Sequence, residues 1–284
     1  MTNEATTTAV GSTSRRTEPT TTHRQTLGRA IHSEWIKLRT LRSTWIGMGF
    51  VVLLLVGLGA IAAAVSTGSV TTAEEGGAFG NRDPLSIVMT GADFAVLLVG
   101  VLGAMTGAQE YGSRMIMATI AAVPRRWQIV FSKVIVLTVV VLPTALIGVL
   151  AAFGVGMGIL SAGDGATVAL TDDGVLRSLL GMAGYLTAIA LMGLGLGILL
   201  RSAANSIGVL IGGVLVLPTL AGALLPDSLD SVLQFLPSSA AAAFTTVRGA
   251  GDEVLSPIAG ALVLAAWVAV TLGAAVLAMT RRDA

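Results

Sequence analysis

Cysteine is absent from the chain, histidine occurs only at His23 and His32, and lysine only at Lys37 and Lys133. Without cysteine there are no disulfides and no thiolate metal sites. Both histidines precede the first long apolar segment, so histidine-dependent hydrolysis, haem ligation and histidine metal centres inside a membrane have no residues to use. No pair of acidic residues sits mid-span to make an aspartyl protease, and almost no ionisable residue lies where an ion-coupled carrier needs one. A phosphate-binding loop needs lysine followed by serine or threonine, but Lys37 precedes Leu38 and Lys133 precedes Val134. The chain therefore carries no catalytic, cofactor-binding or metal site of its own, and any ATP that drives it must be bound by another subunit.

Charge is equally scarce. Of 284 residues, 12% are charged and 54% hydrophobic, with a formal net charge of +1 and a mean hydropathy of +0.85. Such usage lies far from that of soluble domains and marks an integral membrane protein. A near-zero net charge gives no electrostatic basis for binding nucleic acid.

A helix needs about 20 apolar residues to cross a hydrocarbon layer about 30 Å thick. Six segments qualify, at Trp45–Val65, Gly91–Ala108, Val134–Gly158, Leu179–Leu200, Ile207–Leu225 and Ile258–Met279. The expected fold is an all-α membrane protein of six transmembrane helices. Pro143 and Pro218 fall inside the third and fifth and predict kinks. Placing both termini in the cytoplasm puts all but Arg82, Arg177 and Arg248 of the seventeen basic residues on the inner side. The reverse orientation violates the positive-inside rule at nearly every loop.

Residues 1–26 are rich in threonine and serine and predict a disordered cytoplasmic tail. The polar lead is too long for a secretory signal, so the first apolar segment reads as an anchor. Residues 27–284 form the six-span domain. Its entrance, "TLGRAIHSEWIKLRTLRSTW", repeats Leu27, Ile31, Trp35, Leu38, Leu41 and Trp45 at helical spacing and predicts an interfacial helix. Glycine pairs four residues apart, Gly103 with Gly107, Gly154 with Gly158, Gly193 with Gly197 and Gly208 with Gly212, let helices approach closely. Before the last span, Leu229, Val232, Leu233 and Leu236 make one apolar stripe ahead of Pro237, which predicts short helices at the outer face.

Between the second and third spans lies "QEYGSRMIMATIAAVPRRWQIVFSK". Ile116, Ile120 and Val123 recur at helical spacing, Pro124 ends that helix, and Arg125 and Arg126 lead toward Lys133. The reading is a short amphipathic element along the inner face, able to transmit a push. Glu110 and Tyr111, closing the second span, are candidates for an inner gate.

The run "EY", a turn, a short apolar helix, "AAVPRR" and a lysine before the next span resembles the corresponding segment of ATP-binding cassette permeases of the type-two class, particularly actinobacterial ones. The "SEWIKLRTLRSTW" entrance, the six spans and the "LP" loop before the last of them extend the resemblance over nearly the whole chain. Here Arg114 precedes Met115 where that family often has glycine followed by threonine or methionine. The resemblance implies a permease in the cell membrane that pairs with a second copy or a similar permease. It implies a separate cytoplasmic ATPase subunit, with Ile116, Ile120, Val123, Arg125 and Arg126 at the coupling helix. Apolar spans imply an exported apolar or lipid-like cargo. The competing expectation is an ATP-independent membrane protein, such as a channel, an assembly factor or an immunity factor.

Overall fold

A computed structural model of the chain describes residues 27–69, 82–112, 126–224, 230–247 and 255–281. The tail at residues 1–26 and the segment at 113–125 lie outside the described residues. Among the described residues every regular element is a helix. Helix α1 (Leu27–Thr40) leads through Leu41 into α2 (Arg42–Ser66). Next come the short α3 (Pro84–Val88), α4 (Ala92–Gly112), α5 (Arg126–Ala162) and α6 (Val175–Leu200). A broken helix follows: α7 (Ala203–Ile211), a π-helical turn (Gly212–Val216) and α8 (Leu217–Leu224). Then α9 (Asp230–Leu233) and α10 (Pro237–Thr245) precede α11 (Pro257–Arg281).

Six stretches are long and apolar enough to cross a membrane: α2, Ala92–Gln109, Trp127–Ala162, α6, Ala203–Leu224 and α11. Each overlaps one expected from the sequence. The third is longer than expected, because α5 begins at Arg126 and runs for 37 residues. At 1.5 Å per residue that is about 55 Å, well beyond the hydrocarbon layer. A helix of that length extends past the hydrocarbon layer on at least one side unless it is steeply tilted. The spans alternate in direction, so α1, the end of α4, the start of α5 and Arg201 share one end, called here the basic end. The loops bearing α3, α9 and α10 share the other.

Helix α6 is the centre of the bundle, with 67% of its span buried, whereas Ala203–Leu224 is only 17% buried and lies at the periphery. Four glycines set the central crossing. Gly103 and Gly107 on α4 meet the backbone of Ala190 and Leu194 on α6, while Gly193 and Gly197 meet that of Gly100 and Ala104. A methyl group at any of these positions would collide with a carbonyl oxygen. Two of the four glycine pairs in the sequence are thus packing surfaces within one bundle. The other two, Gly154 with Gly158 and Gly208 with Gly212, have nothing near their missing side chains.

The prolines behave differently from one another. Helix α5 continues through Pro143, whereas the π-helical turn at Gly212–Val216 stands immediately before Pro218. Proline frees the carbonyl four residues earlier and crowds it; a wider turn makes room for the ring. Each proline is followed by a threonine whose hydroxyl donates to the carbonyl four residues before it, Thr144 to that of Val140 at 2.8 Å and Thr219 to that of Leu215 at 2.7 Å.

Candidate functional site at the basic end

The entrance helix α1 packs on α5. Its buried stripe is Ala30, Glu34 and Leu38, one step round from the apolar repeat of Leu27, Ile31 and Trp35, which are half-buried. A carboxylate thus points inward. Glu34 is 6% exposed, and one of its oxygens, Oε2, lies 2.9 Å from the ammonium of Lys133, itself 5% exposed. The other, Oε1, lies 2.6 Å from Lys37 one turn along α1. One buried carboxylate therefore ties the entrance helix to the root of the third span.

The first turns of α5 are unusually well buried for a helix end. Gln128, Ile129, Val130 and Ser132 lie inside with Lys133. The Ser132 hydroxyl donates to the Ile129 carbonyl, whereas Gln128 Oε1 has no hydrogen-bond partner among the described residues. Trp127 and Phe131, on the exposed side, meet edge to face at 5.5 Å. The continuous α5 makes a rod whose buried root is held by α1 and whose body packs along α2 and α6.

A second fastening joins α4 to α6. Helix α6 ends at Arg201, in the left-handed region with φ 53°, and the guanidinium of Arg201 stands 5.3 Å from the centre of the Tyr111 ring. Such a cation over an aromatic face contributes about 0.5–2 kcal/mol, depending on exposure. Ser202 then caps α7, and the buried Ser206 hydroxyl shares its hydrogen between the Ser202 and Leu196 carbonyls, at 2.6 and 3.0 Å. The turn from the fourth to the fifth span is therefore tightly closed.

Of the residues expected from sequence, Tyr111 is half-buried in this contact. Ile116, Ile120, Val123 and Arg125 lie outside the described residues, as do the side chains of Glu110 and Arg126. What sequence reasoning missed is Glu34. Its signal was present: Glu34 is the one acidic residue of α1 and falls four residues from both Ala30 and Leu38. The described residues contain no group of three or more His, Cys, Asp or Glu placed to hold a metal ion. The arrangement is mechanical, built of helix ends fastened to one another.

Comparison with curated proteins gives no match. The family model for the ABC-2 family transporter protein matches residues 30–219, from the first turn of α1 to the start of α8. That covers about two thirds of the chain and includes the ion pair, the Tyr111–Arg201 contact, the first four spans and most of the fifth. The chain is a multi-pass membrane protein of the ABC-2 transporter family, whose members are the membrane component of the transporter and work with a cytoplasmic ATPase.

Proposed function

We propose that this chain is the permease subunit of an ATP-binding cassette exporter in the cell membrane, with its basic end in the cytoplasm. The observation that carries the reading is the family match from the entrance helix into the fifth span, joined to a long third span fastened to that entrance helix. A separate cassette ATPase binds and hydrolyses ATP, and docks on the Gln109–Lys133 segment through Ile116, Ile120 and Val123, flanked by Arg125 and Arg126. A second copy, or a similar permease, completes the pathway. Spans composed almost wholly of alanine, valine, leucine and glycine suit an apolar or lipid-like cargo.

Docking is the step to test. Replacing Ile116 and Ile120 together by aspartate puts unpaired charge into the proposed contact, at a cost of several kcal/mol (~3 or more). The double variant is expected to insert normally yet fail to co-purify with the cassette ATPase that the unaltered chain recruits. The purified chain by itself is expected to hydrolyse no ATP. Normal ATPase binding and transport by the double variant would overturn the proposal.

A further inference from the structure

At the end opposite the basic one, a cavity of about 300 Å³ opens between α3, α4, α6 and α10. Three close approaches fix its walls. Gly91 lies against the Leu54 carbonyl and sets the start of α4, Gly181 brings the Phe244 backbone onto α6, and Gly260 brings α11 onto Ala240 of α10. The cavity is therefore part of the bundle rather than a gap between loops.

Its lining divides into two kinds of surface. Leu85, Met89, Ala92, Met182 and Ala241 make an apolar floor. The polar side holds Asp93, Tyr185, Ser238, Thr90 and Thr245, with Arg82 and Asp83 beside them. Asp83 is already occupied, since its carboxylate accepts the Ser86 amide at 2.8 Å and caps α3. The Thr90 hydroxyl gives its hydrogen to the Ile87 carbonyl at 2.7 Å, and that of Thr245 to Ala241 at 2.9 Å. Both hydroxyls are left as acceptors. Asp93 is exposed within this setting, close enough to interact electrostatically with Arg82 and Tyr185, yet makes no ion pair or hydrogen bond with another described residue. Ser238 Oγ is buried and has no hydrogen-bond partner among the described residues.

The acceptor oxygens of Thr90 and Thr245 beside the Asp93 carboxylate suit a ligand with hydrogen-bond donors and a positive charge, and the hydroxyls of Ser238 and Tyr185 on the same cavity can accept or donate. An apolar floor calls for carbon attached to it. We propose that this cavity binds the primary ammonium head of an amphipathic molecule, with Asp93 as counter-charge and Thr90, Thr245 and Ser238 accepting its N–H groups. A bare metal ion would leave most of the volume empty, and a quaternary ammonium has no hydrogens to donate. The inference rests on the permease reading only for the source of the ligand, which is either exported cargo or a resident amine-headed lipid.

The test uses the purified full-length chain and an equimolar mixture of phosphatidylethanolamine and phosphatidylcholine with identical acyl chains, which share the phosphate and the positive charge but differ in having three N–H groups or three N-methyl groups. Bound lipid is read by native mass spectrometry. The ethanolamine lipid is expected to be retained at least tenfold in preference. Asp93→Asn should bring the ratio near one, and Ala242→Phe, which fills the cavity from its α10 wall, should do the same with all charges in place. Equal retention of the two lipids by the unaltered chain overturns the proposal, as does a preference unchanged in both variants. With the ATPase added, stimulation of hydrolysis by the ethanolamine lipid identifies cargo, whereas retention through turnover identifies a resident lipid; both support the cavity assignment. Selective binding by a chain that recruits no ATPase would sink the permease reading and leave the cavity standing. Coupling without selectivity would do the reverse.

Discussion

Glu34 has two ammonium groups for one carboxylate, so removing it does more than delete a contact. In Glu34→Gln the buried Lys133 ammonium loses the carboxylate 2.9 Å from it, and breaking a buried pair by removing one partner costs about 3–5 kcal/mol. The expected result is a large fall in melting temperature of the detergent-solubilised protein. Replacing both members, as Glu34→Leu with Lys133→Met, removes the desolvation cost together with the attraction and should restore most or all of the loss. If the single variant melts like the parent, the pair is not a fastening. At this scale the sequence hid the partner. The lysine before the third span was legible as a boundary residue, but Glu34 is 99 positions away from it, and only the docking of α1 on α5 brings the two together. The apolar repeat of α1 was visible and slightly misleading, because the stripe that faces the protein is Ala30, Glu34 and Leu38.

The elements themselves were well marked, because a span is defined by length and apolarity, both local properties. Their ends and internal breaks were less so. Pro143 and Pro218 look alike in sequence, each in the string "LPT", yet only the second stands beside a widened turn. Two glycines lie at that turn, Gly212 and Gly213, and the surrounding helix is peripheral, so its backbone is free to adjust where the packed α5 is not. Helix α3 is too short to show a period, and its signal in the sequence is Asp83 before Pro84, a capping side chain followed by proline at the first helical position. Pro237 stands in the same way at the first position of α10. The glycine pairs were legible as close-approach sites, but which pairs are used depends on the fold. Gly103→Ala forces α4 away from the Ala190 carbonyl and is expected to cost about 1–3 kcal/mol. Gly154→Ala meets open space and should change stability by no more than about 0.5 kcal/mol in the unfavourable direction. Thermal melts of the two variants in the same detergent check this, and equal effects would mean that the α4 crossing is not held by backbone contact.

For the whole molecule, the alternation of six spans means that one orientation fixes every loop at once. The positive-inside rule predicts a cytoplasmic basic end, and the buried ion pair, the Tyr111–Arg201 contact and the root of α5 all gather at that end, the side on which the proposed ATPase would push. The same alternation puts Ser69 and Thr167, both exposed, and Ser239, on α10, at the opposite end, while Ser202 lies at the basic end. Because the chain has no cysteine, single cysteines at these positions report topology without background. In intact cells, an impermeant thiol reagent is expected to label cysteine at Ser69, Thr167 and Ser239 and to leave Ser202 and Ser113 unlabelled until the membrane is opened. The α10 position carries the most information, since α10 also walls the amine cavity: labelling at Ser239 would place that cavity at the outer leaflet, where an exported head group must arrive. Labelling at Ser202 from outside would invert the molecule, put the ion-pair cluster on the wrong side for a cytoplasmic ATPase, and remove the mechanical reading of α5 while leaving every packing contact in the bundle unchanged.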